Sequence, residues 1–140
     1  MRYGVRLEQD GDTLLATCPQ LPEVTSFGTD RADALRHVAD AVGEALAARL
    51  SAWSPAPLPT DGIIGGESIQ IPVLLAAKVT LMNACIEAGV TRAELGRRLG
   101  WHREQVDRLF RAGHATRIDQ IETALAAIGK GLGIRLVDAA

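Results

Sequence analysis

Apolar and polar positions alternate from the start of the chain. Tyr3, Val5 and Leu7 stand between Gly4, Arg6 and Glu8, the period of two that predicts a half-buried strand. Asp10-Gly11-Asp12 is a turn signal, and Thr13 to Cys18 is the returning strand of a hairpin. Pro19 and Pro22 punctuate a loop before a third strand, Val24 to Phe27, which Gly28 ends. The period then lengthens: Ala34, Leu35, Val38, Val42, Leu46 and Leu50 recur at helical spacing behind a Thr29 or Asp30 cap. Pro55, Pro57 and Pro59 exclude helix, and Gly62, Gly65 and Gly66 loosen the chain beyond them, so 51–68 is a loop or hinge. Ile69 and Ile71 suit a short strand. Pro72 sits at the first turn of a helix running through Leu75, Val79, Met82 and Ile86 to Gly89.

The order β-β-β-α-β predicts a small α+β sheet with a helix on one face over residues 1–72. Residues 73–140 are helical until Leu132, Ile134 and Leu136 alternate, which predicts a short terminal strand. A lone strand needs a neighbour. The same strand of a second subunit would supply it, so a homodimer is expected, with further pairing into a tetramer left open.

The stretch "TRAELGRRLGWHREQVDRLF", Thr91 to Phe110, carries the most specific pattern. Thr91-x-x-Glu94 is a capping box. Leu95 and Leu99 make an inner face, Gly96 allows a close helix crossing, and Gly100 sits where a left-handed residue closes the helix. Val106, Leu109 and Phe110 form the inner face of a second helix whose polar residues gather at its start. Two helices, a glycine turn and this polarity predict a helix-turn-helix that docks on double-stranded DNA. His102, Arg103, Glu104, Gln105 and Arg108 are the base-reading candidates, since arginine pairs with guanine, glutamine with adenine, and a carboxylate accepts from cytosine. Glu104 can equally pair with Arg108 one turn on. Arg97, Arg98 and Arg117 are phosphate candidates, and Trp101 is expected as a wedge under the turn. Thr116-x-x-Asp119 predicts another capping box, followed by the apolar stripe Ile118, Ile121, Leu125 and Ile128.

Charge sharpens this division. The net charge of −2 hides five arginines against nine acids in residues 1–62, and seven arginines against three acids in 91–117. Only the later stretch attracts phosphate at long range, so two partners are expected. A hydrophobic content of 47% indicates a folded chain. The start is charged and alternating, and no apolar run nears the ~20 residues of a membrane helix, so a cytoplasmic protein without membrane contact is expected. Cys18 and Cys85 are far apart, with no metal-ligand spacing; neither a disulfide, a metal nor a cofactor is called for. His37 lies on a helix face with no carboxylate or cysteine partner at a useful spacing and reads as structural. The Glu8, Asp10 and Asp12 cluster is explained by a hairpin turn, and no catalytic constellation stands out.

"CPQLPEVTSFGTDRADAL", behind an aromatic-led first strand and a hairpin, resembles the HicB antitoxins, whose signature includes a P-x-L-P loop, a glycine-threonine turn and an Ala-rich helix. "VDRLFRAGHATRIDQIETALAAIGKGL" is similar to the helix-turn-helix tail of one branch of that family. The resemblance implies a degraded ribonuclease H-like front domain that binds a HicA-like messenger-RNA-cleaving toxin, and a back domain that binds the operator as a dimer. No nuclease activity is expected of the residues themselves. A working ribonuclease H needs several carboxylates converging on two metal ions, whereas Glu8 stands alone on the first strand and Glu67 only flanks the fourth. Glu23 occupies a position usually held by glycine. Asp10, Asp12 and Glu23 are toxin-binding candidates by charge and loop position alone. Two competing functions remain distinct: a repressor whose front domain senses a small ligand in an apolar pocket, and a residual metal-dependent nuclease that would fail without Glu8.

Overall fold

A computed structural model describes residues 1–59 and 66–138. Part of the Pro/Gly-rich loop, Gly62 and Gly65 included, lies outside the described residues. The chain is α+β and divides into two compact units. The first holds Met1–Leu46 and Pro57–Pro72, joined by Asp138; the second holds Ala47–Ala56 and Val73–Val137.

In the first unit the strands β1 (Arg2–Asp10), β2 (Thr13–Cys18), β3 (Leu21–Gly28) and β4 (Glu67–Gln70) form one sheet in the order β3-β2-β1-β4. All pairings are antiparallel. The hairpin forms around Gly11, whose φ of 60° is the left-handed conformation the tight turn needs. Arg6 pairs with Thr17 and Asp10 with Thr13, so β1 and β2 run in register up to the turn. Strand β3 is longer than its Val24–Phe27 nucleus, beginning at Leu21, where it pairs with Cys18 after an irregularity at Thr17/Cys18. Strand β4 ends before Ile71, whose N–H instead donates to the Met1 carbonyl at 3.0 Å.

The helix α1 (Arg31–Ala52) begins as its sequence dictates. Asp30 Oδ1 accepts from the Asp33 N–H at 2.8 Å, and the Asp33 carboxylate reaches back to the Thr29 N–H at 2.9 Å. The Thr29 bond is the main cause holding the Asp33 carboxyl below its ordinary pKa. Ala34, Val38 and Val42 of α1 are buried with Tyr3, Val5, Ala16, Cys18, Leu21 and Val24 of the sheet. Gly28 lets the end of β3 meet the first turn of α1, for a Cβ there would lie 2.2 Å from the Ala34 nitrogen. Tyr3 donates its hydroxyl proton to the Pro57 carbonyl at 2.8 Å. A bidentate pair, Arg31 to Glu67 at 2.6 Å for each bond, joins α1 to β4.

The second unit gathers the end of α1 with α2 (Val73–Glu87), α3 (Arg92–Leu99), α4 (Arg103–Leu109) and α5 (Ile118–Ala126). Helix α2 packs on α5, and α3 on α4, around buried Leu81, Met82, Cys85, Leu95, Leu109, Ile121 and Leu125. The expected terminal strand is not formed: residues 130–138 are irregular. Ile134 and Leu136 are 102% and 97% exposed, and Leu132 is half-buried. Alternation makes a strand possible, but its backbone groups need a paired neighbour, and none of the described residues pairs with them as a strand. No single described helix is long and apolar enough to cross a membrane.

Candidate nucleic-acid interface

Helix α3 starts at Thr91, whose extended backbone and Oγ1, accepting from the Glu94 N–H at 3.1 Å, make a true N-cap. The expected reciprocal half of the box gives way to two guanidinium groups. The Glu94 carboxylate accepts from Arg97 at 2.7 and 3.0 Å and from Arg98 at 3.2 Å. Arg97 and then Arg98 hold that carboxyl below its usual range. Gly100 ends the helix at φ 67°, ψ 29°. A Cβ on buried Gly96 would sit 3.3 Å from Val106 Cγ2, so a side chain there would require Val106 to give by a few tenths of an ångström.

Helix α4 has His102 at its N-cap, and Gln105 Oε1 accepts from the His102 N–H at 2.9 Å. His102, Arg103, Glu104, Gln105 and Arg108 are all exposed, with the Arg103 side chain at 95%. The Gln105 carbonyl is therefore engaged within the turn, leaving its amide protons for an acceptor. Arg103 lies 3.9 Å from Asp107, and Arg108 3.7 Å from Glu104, as the i,i+4 spacing allows. Arg97 and Arg103 share one groove with Arg92 and Arg111, about 1400 Å³ in volume, with half-buried Trp101 in its wall. Trp101, expected as a buried wedge, is thus only half-buried. Arg98 also donates to the Ala127 carbonyl at 3.3 Å, and Arg117 pairs with Asp119 at 2.6 Å.

The second expected capping box is replaced by a different arrangement. Arg117 is the N-cap of α5, without a side-chain cap bond. Thr116 is buried, and its hydroxyl donates to the Arg108 carbonyl at 3.1 Å while His114 Nδ1 stands 2.8 Å away. Beside it is a residue that sequence reasoning passed over. Lys78 of α2 is fully buried, and its ammonium donates to the carbonyls of Arg108, Arg111 and His114 at 3.1, 2.5 and 2.8 Å. Burial pushes its pKa below the ordinary 10.5, while three carbonyl acceptors match the three protons of the charged form.

Two further holds were missed. The Asn83 amide clamps Ala56, accepting its N–H at 3.0 Å and donating to its carbonyl at 2.8 Å. Trp53, with φ 53° the one non-glycine residue of positive φ among those described, carries Arg92 4.9 Å over its ring and meets Phe110 edge-on at 4.8 Å.

The toxin-binding candidates are exposed but do not converge. Asp10 and Asp12 flank the hairpin turn, whereas Glu23 lies near the far end of β3. Four or five residues of strand separate them, roughly 15 Å. His37 does have a carboxylate neighbour: its Nε2 is 3.5 Å from Asp33 one turn earlier, and its Nδ1 is 2.7 Å from the Phe27 carbonyl. Among the described residues no group of three His, Cys, Asp or Glu side chains could hold a metal. Cys18 and Cys85 are buried and unpaired as thiols.

Residues 2–80 match the model of the HicB_like antitoxin of bacterial toxin-antitoxin systems, and the chain belongs to that family. It is 33% identical to Antitoxin HicB 2 of Photorhabdus laumondii over 132 residues, covering 94% of each chain. It is 33% identical to Antitoxin HicB of Pseudomonas fluorescens over 129 residues, 91% of this chain and 88% of that one. Antitoxin HicB of Escherichia coli K12 is 32% identical over 138 residues, covering 98% and 100%.

Proposed function

We propose that this chain is the antitoxin of a HicA/HicB-type pair and the repressor of its own operon. The first unit, a cut-down ribonuclease H-like fold on this reading, binds and occludes the toxin. The second unit uses α3 and α4 as a helix-turn-helix on operator DNA. One observation carries the division: the family match ends at residue 80, whereas the arginine-rich stretch 91–117 lies wholly beyond it. A second partner with negative charge suits that stretch.

On this reading Arg103 and Arg108, with His102, Glu104 and Gln105, face base edges. Arg97, Arg98 and Arg117 exchange their carboxylate partners for phosphates. Asp10, Asp12 and Glu23 offer the toxin acidic contacts at two ends of the sheet. The exposed 132–136 segment pairs with its copy in a homodimer, which gives its apolar side chains and backbone the neighbour they lack.

The test is co-purification of the full chain with the product of the adjacent reading frame, followed by titration of a duplex taken from upstream of its own gene. A stable complex and salt-dependent preference for that duplex over a shuffled one are expected. No complex would remove the antitoxin role, and equal affinity for both duplexes would remove the repressor role. Deleting residues 131–140 should lower the solution mass and operator affinity together; an unchanged mass would defeat the terminal pairing.

A further inference from the structure

We infer that Lys78 is a positioning residue for DNA recognition, its ammonium fixing the C-terminal end of α4 and the turn behind it. The inference rests on the operator-binding role proposed for the second unit. Helix α4 has seven residues, too few to hold its own shape, since isolated helices below about 12 residues are marginal. Its last carbonyls have no partners within the helix. Backbone amides serve the carbonyls around this end singly, Arg111 N–H reaching Arg108 at 3.4 Å, His114 N–H reaching Arg111 at 3.2 Å and Thr116 N–H reaching His114 at 2.8 Å, and Lys78 adds one further donor to each of the three.

The three bonds go to Arg108 inside α4, and to Arg111 and His114 in the turn after it. One point charge thus ties the helix end to the chain that leaves it. A cation at a helix C-terminus is also favoured by the helix dipole. Thr116 adds a second side-chain donor to the Arg108 carbonyl. At the opposite end, Gln105 closes the first turn on the His102 N–H. Helix α4 is therefore held at both ends by side chains, while Arg103 and Glu104 remain exposed on its outer face.

Packing alone does not call for a lysine. Position 78 lies in the apolar run "VLLAAKVTLMNACI", where a methionine would fill similar volume without the cost of burying a charge. What the ammonium adds is direction. Three carbonyls at bonding distance fix where α4 ends, and hence how its first residues are presented. Recognition contacts tolerate displacements of only about 0.5 Å.

The test is Lys78→Met in the full chain, read against two duplexes of equal length, one from upstream of its own gene and one shuffled. At a temperature where tryptophan fluorescence shows the variant folded, preference for the upstream duplex should fall about tenfold or more. Affinity for the shuffled duplex and its salt slope should persist. Simple destabilisation would instead lower both affinities together. An unchanged preference in a folded variant overturns the inference. If Lys78→Met does not fold, Thr116→Val removes one donor from the same carbonyl and should give a smaller loss of preference; no loss overturns the inference. Amide exchange supplies a readout without DNA. Protection over residues 108–117 should fall in the variant, and unchanged protection refutes the positioning role even if the wild-type chain shows no preference. Absence of preference in the wild type counts against the proposed repressor instead.

Discussion

Gly28→Ala tests the packing of the first unit most sharply. An added Cβ would stand 2.2 Å from the Ala34 nitrogen, 2.5 Å from its Cα and 2.8 Å from its Cβ. Ordinary contacts begin near 3.5 Å, so β3 and α1 would have to part by more than an ångström. Both residues are buried, and the nearest obstacles are backbone, which no rotamer change can move. Overpacking of this kind costs about 1–3 kcal/mol. Displacing the first turn of α1 also strains the Asp30 cap, worth about 1 kcal/mol. The sum is roughly 2–4 kcal/mol, a large share of the 5–15 kcal/mol that holds a typical domain together.

Urea unfolding followed by amide resonances of the first unit measures this cost. Fluorescence cannot replace it, because Trp53 and Trp101 both belong to the second unit. Gly113→Ala is the control: a Cβ there meets nothing within 4 Å, so stability should stay within about 0.5 kcal/mol. Adding Ala34→Gly to Gly28→Ala removes only the most distant of the three clashing atoms and should restore little. A Gly28→Ala chain within about 0.5 kcal/mol of wild type, or full rescue by the double change, would show the crossing to be looser than these distances state.

Burial pushes the Cys85 thiol up to about 11 and also raises Cys18, so both should react with a thiol reagent at pH 8 only as fast as the fold opens. Rapid modification of either would contradict their burial. Asp33 and Glu67 have folded pKa values lowered mainly by the Thr29 backbone bond and by Arg31 respectively. Their contribution is therefore complete above the ordinary values of 3.8 and 4.5 and is lost as pH falls through the lower folded values. Glu67→Gln should flatten that acid limb, and an unaltered pH profile would show the Arg31 pair to be inert. Trp53 closes α1 with a Ser54 N–H to Arg49 carbonyl bond at 2.9 Å, in a conformation that suits glycine. Trp53→Ala should cost about 1–3 kcal/mol through its lost contacts with Phe110 and Arg92. Trp53→Gly should cost roughly 1 kcal/mol less than Trp53→Ala, and the reverse ranking in a fluorescence-independent melt would refute the strain.

Local chemistry was legible where a residue acts on near neighbours. The β1–β2 hairpin follows from alternation plus Gly11, the start of α3 from Thr91, and its end from Gly100. Each depends on a few consecutive residues. Distant partners erased other signals. Lys78 is a lone charge in an apolar run, visible as an oddity, but its acceptors are main-chain carbonyls 30 to 36 residues away, and carbonyls leave no mark in a sequence. Thr116 has the spacing of a cap, yet the Arg108 carbonyl takes its hydroxyl proton. Glu94 satisfies the box pattern, but two arginines one turn on compete better than an amide. The alternation of Leu132, Ile134 and Leu136 shows that these residues could form a strand, and only a neighbour decides that they do.

The charge pattern of the second unit bears on how it could bind at all. Arg97 and Arg98 are held by Glu94, and Arg117 by Asp119, while Arg103 and Arg108 each have a carboxylate within 4 Å. Exposed pairs of this kind are worth about 0–1 kcal/mol each, so trading a carboxylate for a phosphate costs little. The acids still matter, because they cancel part of the field that would draw the chain to any DNA. On the proposed reading, binding would depend more on geometry that places several guanidinium groups on phosphates at once than on net attraction. Such geometry is what Gly96, Gly100, the Gln105 bond and the Lys78 ammonium impose on α3 and α4. If the proposed repressor role holds, discrimination would come from the hydrogen bonds at the buried end of α4, and the exposed end would be weakly enough paired to let go of its own acids.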